Sequence, residues 1–195
     1  MKNLIFFTLI ILNCLTINSA SSKIVFFDDL VERRGVYFKK SAVVPYTGHV
    51  KGTKNGKLLK GKINGVWVIY YNNGFISSKA NYKAGKLKGL WQNFYRNGNL
   101  SEKGNYRNGK RDGLWVTYFE DGQISYKIHY KNGVEQGLFS SYFSESGSLS
   151  VQGVYKNGKR EGIWEYYNQS GELEIIDNYM GGRRLDPLLP KSVSQ

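Results

Sequence analysis

The sequence predicts an all-β protein built as one elongated, twisted antiparallel sheet of stacked β-hairpins. Three observations predict it. A unit of 24 residues recurs from Gly65, with later copies opening at Gly89, Gly113, Gly137 and Gly162. Each unit holds two glycine turns about eight residues apart, so each unit supplies two strands. Between the turns apolar and polar residues alternate with period two, which is a strand pattern with no helical phase.

Composition sets the outer bounds. The chain has 195 residues, which is one ordinary domain by length. Repetition overrides that expectation, because an array of repeats has no single compact core. Aromatics make up 15% and only three residues are proline, so neither disorder nor a proline-rich linker fits. A formal charge of +13 favours anionic partners, whether lipid headgroups, nucleic acid, acidic glycans or an acidic protein, and it also serves solubility. Cys14 is the one cysteine and His49 and His129 the two histidines. No metal-ligand spacing and no cofactor motif follow from them.

Residues 1–20 read as a secretory signal peptide. Lys2 is followed by an apolar run from Leu4 to Leu12, broken by Thr8. That run is short of the about 20 residues a bilayer span requires. Ser19, Ala20, Ser21 and Ser22 are the small residues of a cleavage neighbourhood. An uncleaved N-terminal anchor is the alternative. The reading places the mature protein outside the cytoplasm: periplasmic, secreted or attached to the envelope.

Residues 21–47 form a non-repeating lead-in and N-terminal cap. Strands are expected at Lys23–Phe27 and Val36–Phe38, and a turn at Pro45–Gly48. A cap is needed because the first hairpin would otherwise expose a sheet edge. The repeat array spans 48–182. Its degenerate first copy, 48–64, has Asn55-Gly56 in the place of the first turn.

The five fuller copies carry an aromatic at their third position: Trp67, Trp91, Trp115, Phe139 and Trp164. Their first turns are Asn73-Gly74, Asn97-Gly98, Asp121-Gly122, Ser146-Gly147 and Ser170-Gly171, and their second turns Ala84-Gly85, Asn108-Gly109, Asn132-Gly133, Asn157-Gly158 and Gly181-Gly182. Such pairs accept positive φ at both turn residues and favour tight hairpins. Along the second strand of the units, one face takes Ala80 and Tyr82, Gly104 and Tyr106, Ile128 and Tyr130, then Gly153 and Tyr155. The opposite face takes Lys79 and Lys83, Lys103 and Arg107, Lys127 and Lys131, then Lys156. In the last copy Asp177 enters the apolar lane, as suits a terminal repeat. Residues 183–195 are read as a C-terminal cap and tail, whose Pro187 and Pro190 forbid a regular strand there.

The unit Gly-x-Trp-x-x-Tyr-x-x-Asn-Gly, with Tyr-Lys-Asn-Gly-Lys ahead of the next glycine, resembles the MORN repeat, and more closely its bacterial variant. Gly65 to Gly74, Gly89 to Gly98 and Gly113 to Gly122 carry the resemblance, with weaker copies from Gly137 and Gly162. The lead-in Gly35-Val36-Tyr37-Phe38 and Pro45-Tyr46-Thr47-Gly48 is similar to the segment that opens such arrays. The resemblance implies stacked hairpins and a binding or scaffolding role, in some cases at membranes. Many bacterial members are catalogued as antitoxins, which implies neutralisation of a partner toxin as an alternative role. The family supplies no catalytic motif.

Chemistry beyond binding finds little footing in these residues. No glycine-rich loop opens a helix, so phosphate cradles are not indicated. No nucleophile and base are paired by motif, and no specific nucleic-acid site is expected. Asp112, Glu135 and Glu161 stand just before unit glycines and are expected to pair with Arg111 and Arg160 along a solvated turn edge. The recurring aromatics are expected to be the core, with equivalent rings about 10 Å apart across two strands. The candidate binding residues are the basic ladder of Lys79, Lys83, Lys103, Arg107, Lys127, Lys131 and Lys156, facing an unknown protein partner, anionic lipid or another polyanion. The alternative is that these side chains only keep an exposed strand face soluble.

Overall fold

The computed structural model describes residues 23–185. The signal-peptide reading, Cys14 and the tail from Asp186 onward fall outside the described residues. The strands are β1 (Ile24–Phe26), β2 (Leu30–Arg33), β3 (Val36–Lys39), β4 (Gly48–Lys51), β5 (Lys54–Leu59), β6 (Lys62–Ile63), β7 (Gly65–Tyr70), β8 (Ile76–Lys83), β9 (Lys86–Phe94), β10 (Leu100–Arg107), β11 (Lys110–Tyr118), β12 (Ile124–Lys131), β13 (Val134–Tyr142), β14 (Leu149–Lys156), β15 (Lys159–Tyr167), β16 (Leu173–Met180) and β17 (Arg183–Arg184). A single 3-10 turn, Phe27–Asp29, is the only helical element among the described residues.

Fifteen of these strands form one sheet. Its order is β1-β4-β5 and then β7 through β17 in sequence, with β6 paired to β5. From β7 onward every strand is antiparallel to its chain neighbour, so the array is a continuous meander of hairpins. The lead-in closes the N-terminal edge differently. β1 pairs parallel to β4, and β2 and β3 form a separate hairpin. Tyr46 is buried there, and its hydroxyl donates to the Lys23 carbonyl at 2.5 Å. The expected turn at Pro45–Gly48 is instead an extended crossing, in which Pro45 bridges Phe38.

The two turns of each unit differ in kind. At the second turn both residues have positive φ, as in Asn108 (54°) and Gly109 (78°), the geometry that matches strand twist. At the first turn only the glycine does. Asn97 Oδ1 instead accepts from Asn99 N at 2.9 Å, and Gly98 N donates to the Tyr95 carbonyl at 3.0 Å, giving a wider loop. The expectation of two tight turns per unit is corrected accordingly.

Asn55-Gly56 is not a turn at all. Both residues lie inside β5, with Asn55 opposite Val68, and the chain reverses instead between β4 and β5 at Gly52–Thr53. The reason is steric: a methyl on Gly56 would fall inside the ring of Trp67. Gly56 is there for space rather than for turning.

A single sheet has no second layer to bury its side chains, so the apolar face covers itself. Across it runs a row of cross-strand neighbours: Gly56, Trp67, Ala80, Trp91, Gly104, Trp115, Ile128, Phe139, Gly153, Trp164 and Asp177. Large and small residues alternate along it except at Ile128, which stands between two aromatics. The residue preceding each aromatic sets that ring's depth. Behind glycine, Trp67, Trp115 and Trp164 are 3%, 0% and 0% exposed. Behind Ala80 and Ile128, Trp91 and Phe139 remain half-buried. Leaning over the glycines also draws successive rings together. Trp91 and Trp115 have centroids 5.4 Å apart and Phe139 and Trp164 5.5 Å, about half the expected spacing.

Tyrosines and arginines complete the cover. Tyr106 meets Trp115 edge-on at 5.1 Å, and the Arg111 guanidinium lies 3.9 Å from the Trp115 ring centroid. Tyr155 and Arg160 repeat the arrangement on Trp164 at 5.1 and 4.2 Å. Burying one such ring is worth roughly 1.5–3 kcal/mol of transfer free energy. The expected pairing of the turn-edge carboxylates is therefore revised. Arg111 is turned onto the aromatic face and bonds Glu102 at 2.9 Å, while Asp112 pairs with Arg107 at 3.0 Å and Glu161 with Lys156 at 3.9 Å.

Candidate binding face

Alternation that sends the unit tryptophans and the second-strand tyrosines to one face sends the residues between them to the other. On this outer face Lys79, Lys103 and Lys127 fall on one line perpendicular to the strands. Lys79 and Lys103 both stand opposite Gln92, and Lys103 and Lys127 both stand opposite Val116. The line continues through Ser140 and Gln152 to Glu165. Lys103 Nζ sits 5.5 Å from the Tyr118 ring centroid and Lys127 Nζ 5.4 Å from that of Tyr142. An aromatic wall, rather than a carboxylate, flanks these two cations.

The seven basic candidates all lie on this face, but they are not equivalent. Arg107 and Lys156 are held by Asp112 and Glu161. Lys79, Lys83, Lys103, Lys127 and Lys131 form no ion pair among the described residues. Lys83, Arg107, Lys131 and Lys156 are the last residues of their strands, beside the tight turns. Only Lys79, Lys103 and Lys127 sit in the middle of the sheet. Of the unit aromatics, Trp67, Trp91, Trp115 and Trp164 take no part in this face, while Phe139 borders its depression.

A second row runs beside the lysine line. Val66, Leu90, Leu114, Leu138 and Ile163, the second residue of each unit, are 43–64% exposed. They alternate with Asn81, Asn105, His129, Val154 and Asn178 on the intervening strands. His129 Nδ1 lies 3.2 Å from the Leu138 carbonyl, within this row. Isolated exposed aliphatics are ordinary on a protein surface, whereas these five form a regular row beside the lysine line. The basic ladder was legible from sequence and the aliphatic row was missed. Its signal is the Gly-aliphatic-Trp triplet: if Trp points inward, the residue before it points out.

The face is not uniform along the sheet. At its C-terminal end Leu138, Val154 and Ile163 rim a depression of about 330 Å³, with Ser140, Gln152 and Glu165 on its polar side. The Gln152 amide donates to Glu165, and the Tyr167 hydroxyl donates to the same carboxylate oxygen at 2.9 Å. On the opposite face, burial and a hydrogen bond with Tyr179 push the Tyr166 phenol up to about 12. Burial also raises the Tyr130 phenol, while the Arg111 cation acts in the other direction.

The MORN repeat variant matches residues 63–84, 87–108, 111–132 and 160–180. The matched segments are the units of Trp67, Trp91, Trp115 and Trp164, and the Phe139 unit lies between them unmatched. No curated protein matches the chain. Among solved structures, a crystal structure of TarM is similar at 12% identity and a TM-score of 0.30, over 73% of this chain and 22% of that one. A mutant S. aureus TarM in complex with Fondaparinux, alpha-GlcNAc-glycerol and UDP gives 12% and 0.29, over 68% and 21%. The chain thus spans about a fifth of the length of these structures.

Proposed function

The chain belongs to the MORN repeat variant family, and from that premise we propose that it is a non-enzymatic, exported binding and scaffold module. Its outer face meets a protein partner or an anionic surface of the envelope. One observation carries the reading: among the described residues the line Lys79–Lys103–Lys127 has no carboxylate partner, and it runs beside a row of exposed aliphatic side chains. Equivalent lysines stand about 10 Å apart, close to the Debye length at 0.1 M salt, so their potentials add only at modest ionic strength. The same face would serve an antitoxin-type role if the partner were a toxin acting outside the cytoplasm.

The test is charge reversal of Lys79, Lys103 and Lys127 to Glu in the protein lacking residues 1–20. The aromatic row is untouched, so far-UV circular dichroism should not change. Binding to anionic vesicles or to an envelope extract should be lost at low salt. The reading fails if the unaltered protein binds neutral and anionic material equally, or if the reversed protein binds as well as the original.

A further inference from the structure

The lysine line and the aliphatic row converge on the depression rimmed by Leu138, Val154 and Ile163. Leu138 and Val154 are direct cross-strand partners. Ser140, on the polar side, is the cross-strand partner of Lys127. The depression therefore opens beside the last lysine of the line. There the charge pattern changes. Gln152 stands where earlier units have lysine, and Glu165 already accepts from both Gln152 and Tyr167. An anionic group is favoured as far as Lys127 and a neutral apolar one beyond it.

We propose that this outer face, from β8 to β15, docks an extended acidic segment of a partner protein. A bulky apolar side chain of that segment sits between Leu138, Val154 and Ile163, and carboxylates at every third residue meet Lys127, Lys103 and Lys79. The proposal rests on the reading of the outer face as the binding face, and it names the occupant.

Spacing selects the extended form. The three lysines occur on every second strand, about 10 Å apart. An extended chain advances about 3.3 Å per residue, so three residues cover one interval. A polyproline-type segment also returns to the same side every three residues. Charge rules out a second copy of this chain, which would set one lysine line against another. Sheet twist disfavours a flat bilayer. At about 20–25° per strand, the outward directions at Lys79 and Lys127 differ by roughly 90°, and a flexible segment can follow that turn where a plane cannot.

The experiment uses synthetic peptides of about 12 residues, long enough to cross from β15 to β8. The first carries one Trp followed by three Glu at intervals of three, with Ser, Gly and Pro elsewhere, and is made in both chain directions. The second replaces Trp by Ser. The third gathers the three Glu side by side. Anionic phosphatidylglycerol vesicles are the fourth probe. The first peptide should bind best, and loss of its Trp should weaken binding about tenfold, or about 1.4 kcal/mol. Leu138→Asp or Val154→Asp should remove that same factor, with no further loss when the Ser peptide is used. Both positions are solvent-exposed, so the fold is unaffected. Equal binding of the Trp and Ser peptides overturns the anchor, and equal binding of the spaced and gathered Glu peptides overturns the extended register. If vesicles bind through the three lysines while neither peptide binds, the occupant is wrong but the binding face stands. If charge reversal of the lysines changes nothing for any probe, the face itself is wrong.

Discussion

The indole of Trp115 lies over Gly104 of the preceding strand, and none of Trp115 reaches solvent. Gly104 does not occupy a left-handed conformation. Its role is room. Adding a methyl there gains about 0.4–1 kcal/mol from the unfolded chain. Overpacking against a rigid ring costs about 1–3 kcal/mol. The second effect wins, so Gly104→Ala and Gly153→Ala should destabilise the protein. Urea unfolding should show a lower midpoint, and tryptophan emission should shift to the red. Trp115→Ala, which empties the same site, should cost about 3–5 kcal/mol.

Within the repeat array the aromatic contacts form two groups. One links Trp91, Tyr106, Trp115 and Tyr130; the other links Tyr126, Phe139, Tyr155, Trp164 and Tyr179. They divide where the bulky Ile128 stands before Phe139. Because each repeat touches only its neighbours, unfolding should be broad, with the two groups melting apart at β12–β13. Phe139→Trp alone should not help, since Ile128 fills the space. Combined with Ile128→Gly it recreates the Gly104–Trp115 pair, and the two changes should couple by about 0.5–3 kcal/mol in a double-mutant cycle. Calorimetry should then show a narrower transition.

Asp177 ends the apolar row as a carboxylate only 5% exposed. Arg184 on β17 closes it, with Nη2 at 2.6 Å and Nε at 2.8 Å from Oδ1. Removing this partner leaves a buried charge short of donors. Arg184→Met should cost roughly 1–3 kcal/mol, and Arg183→Met far less, since Arg183 forms no ion pair among the described residues. Hydrogen exchange at β16 would report the difference.

Alkaline pH should unfold the chain between about pH 10 and 12. Burial, and then the hydrogen bond with Glu32, raises the Tyr37 phenol to about 12, and Tyr166 reaches a similar value through burial and Tyr179. A raised phenol stabilises the fold fully below the unfolded value near 10, and the contribution is lost as pH climbs through the folded value. Replacing Tyr37 and Tyr166 by Phe should move the alkaline midpoint upward. Tyrosinate absorbance, followed alongside circular dichroism, provides the check.

Export predicts a processed chain. Protein recovered from its own cells should have an intact mass lacking residues 1–20. A species that retains Met1 to Ala20 contradicts export with cleavage.

The sequence by itself determined the all-β class, the succession of hairpins and the division of faces. Those follow from the 24-residue period, paired turn glycines and strict alternation, all of which are local. It also placed Lys79, Lys103 and Lys127 on the face opposite the aromatics. Asn55-Gly56 shows the limit of local reading. The dipeptide has the chemistry of a turn, yet it stands inside β5, because Trp67 of the next strand needs a residue without a side chain beneath it. Arg111 shows the same limit. Its neighbour Asp112 is adjacent in sequence, but the hairpin sets Arg111 opposite Tyr106 on the aromatic face, where Glu102 and Trp115 hold it. Which lysines stay unpaired, which tryptophans are fully buried, and where the outer face forms its depression were decided only by tertiary structure. Each depends on which residue of the adjacent strand lies opposite, and that partner is set by bulges and register across the sheet rather than by neighbours along the chain.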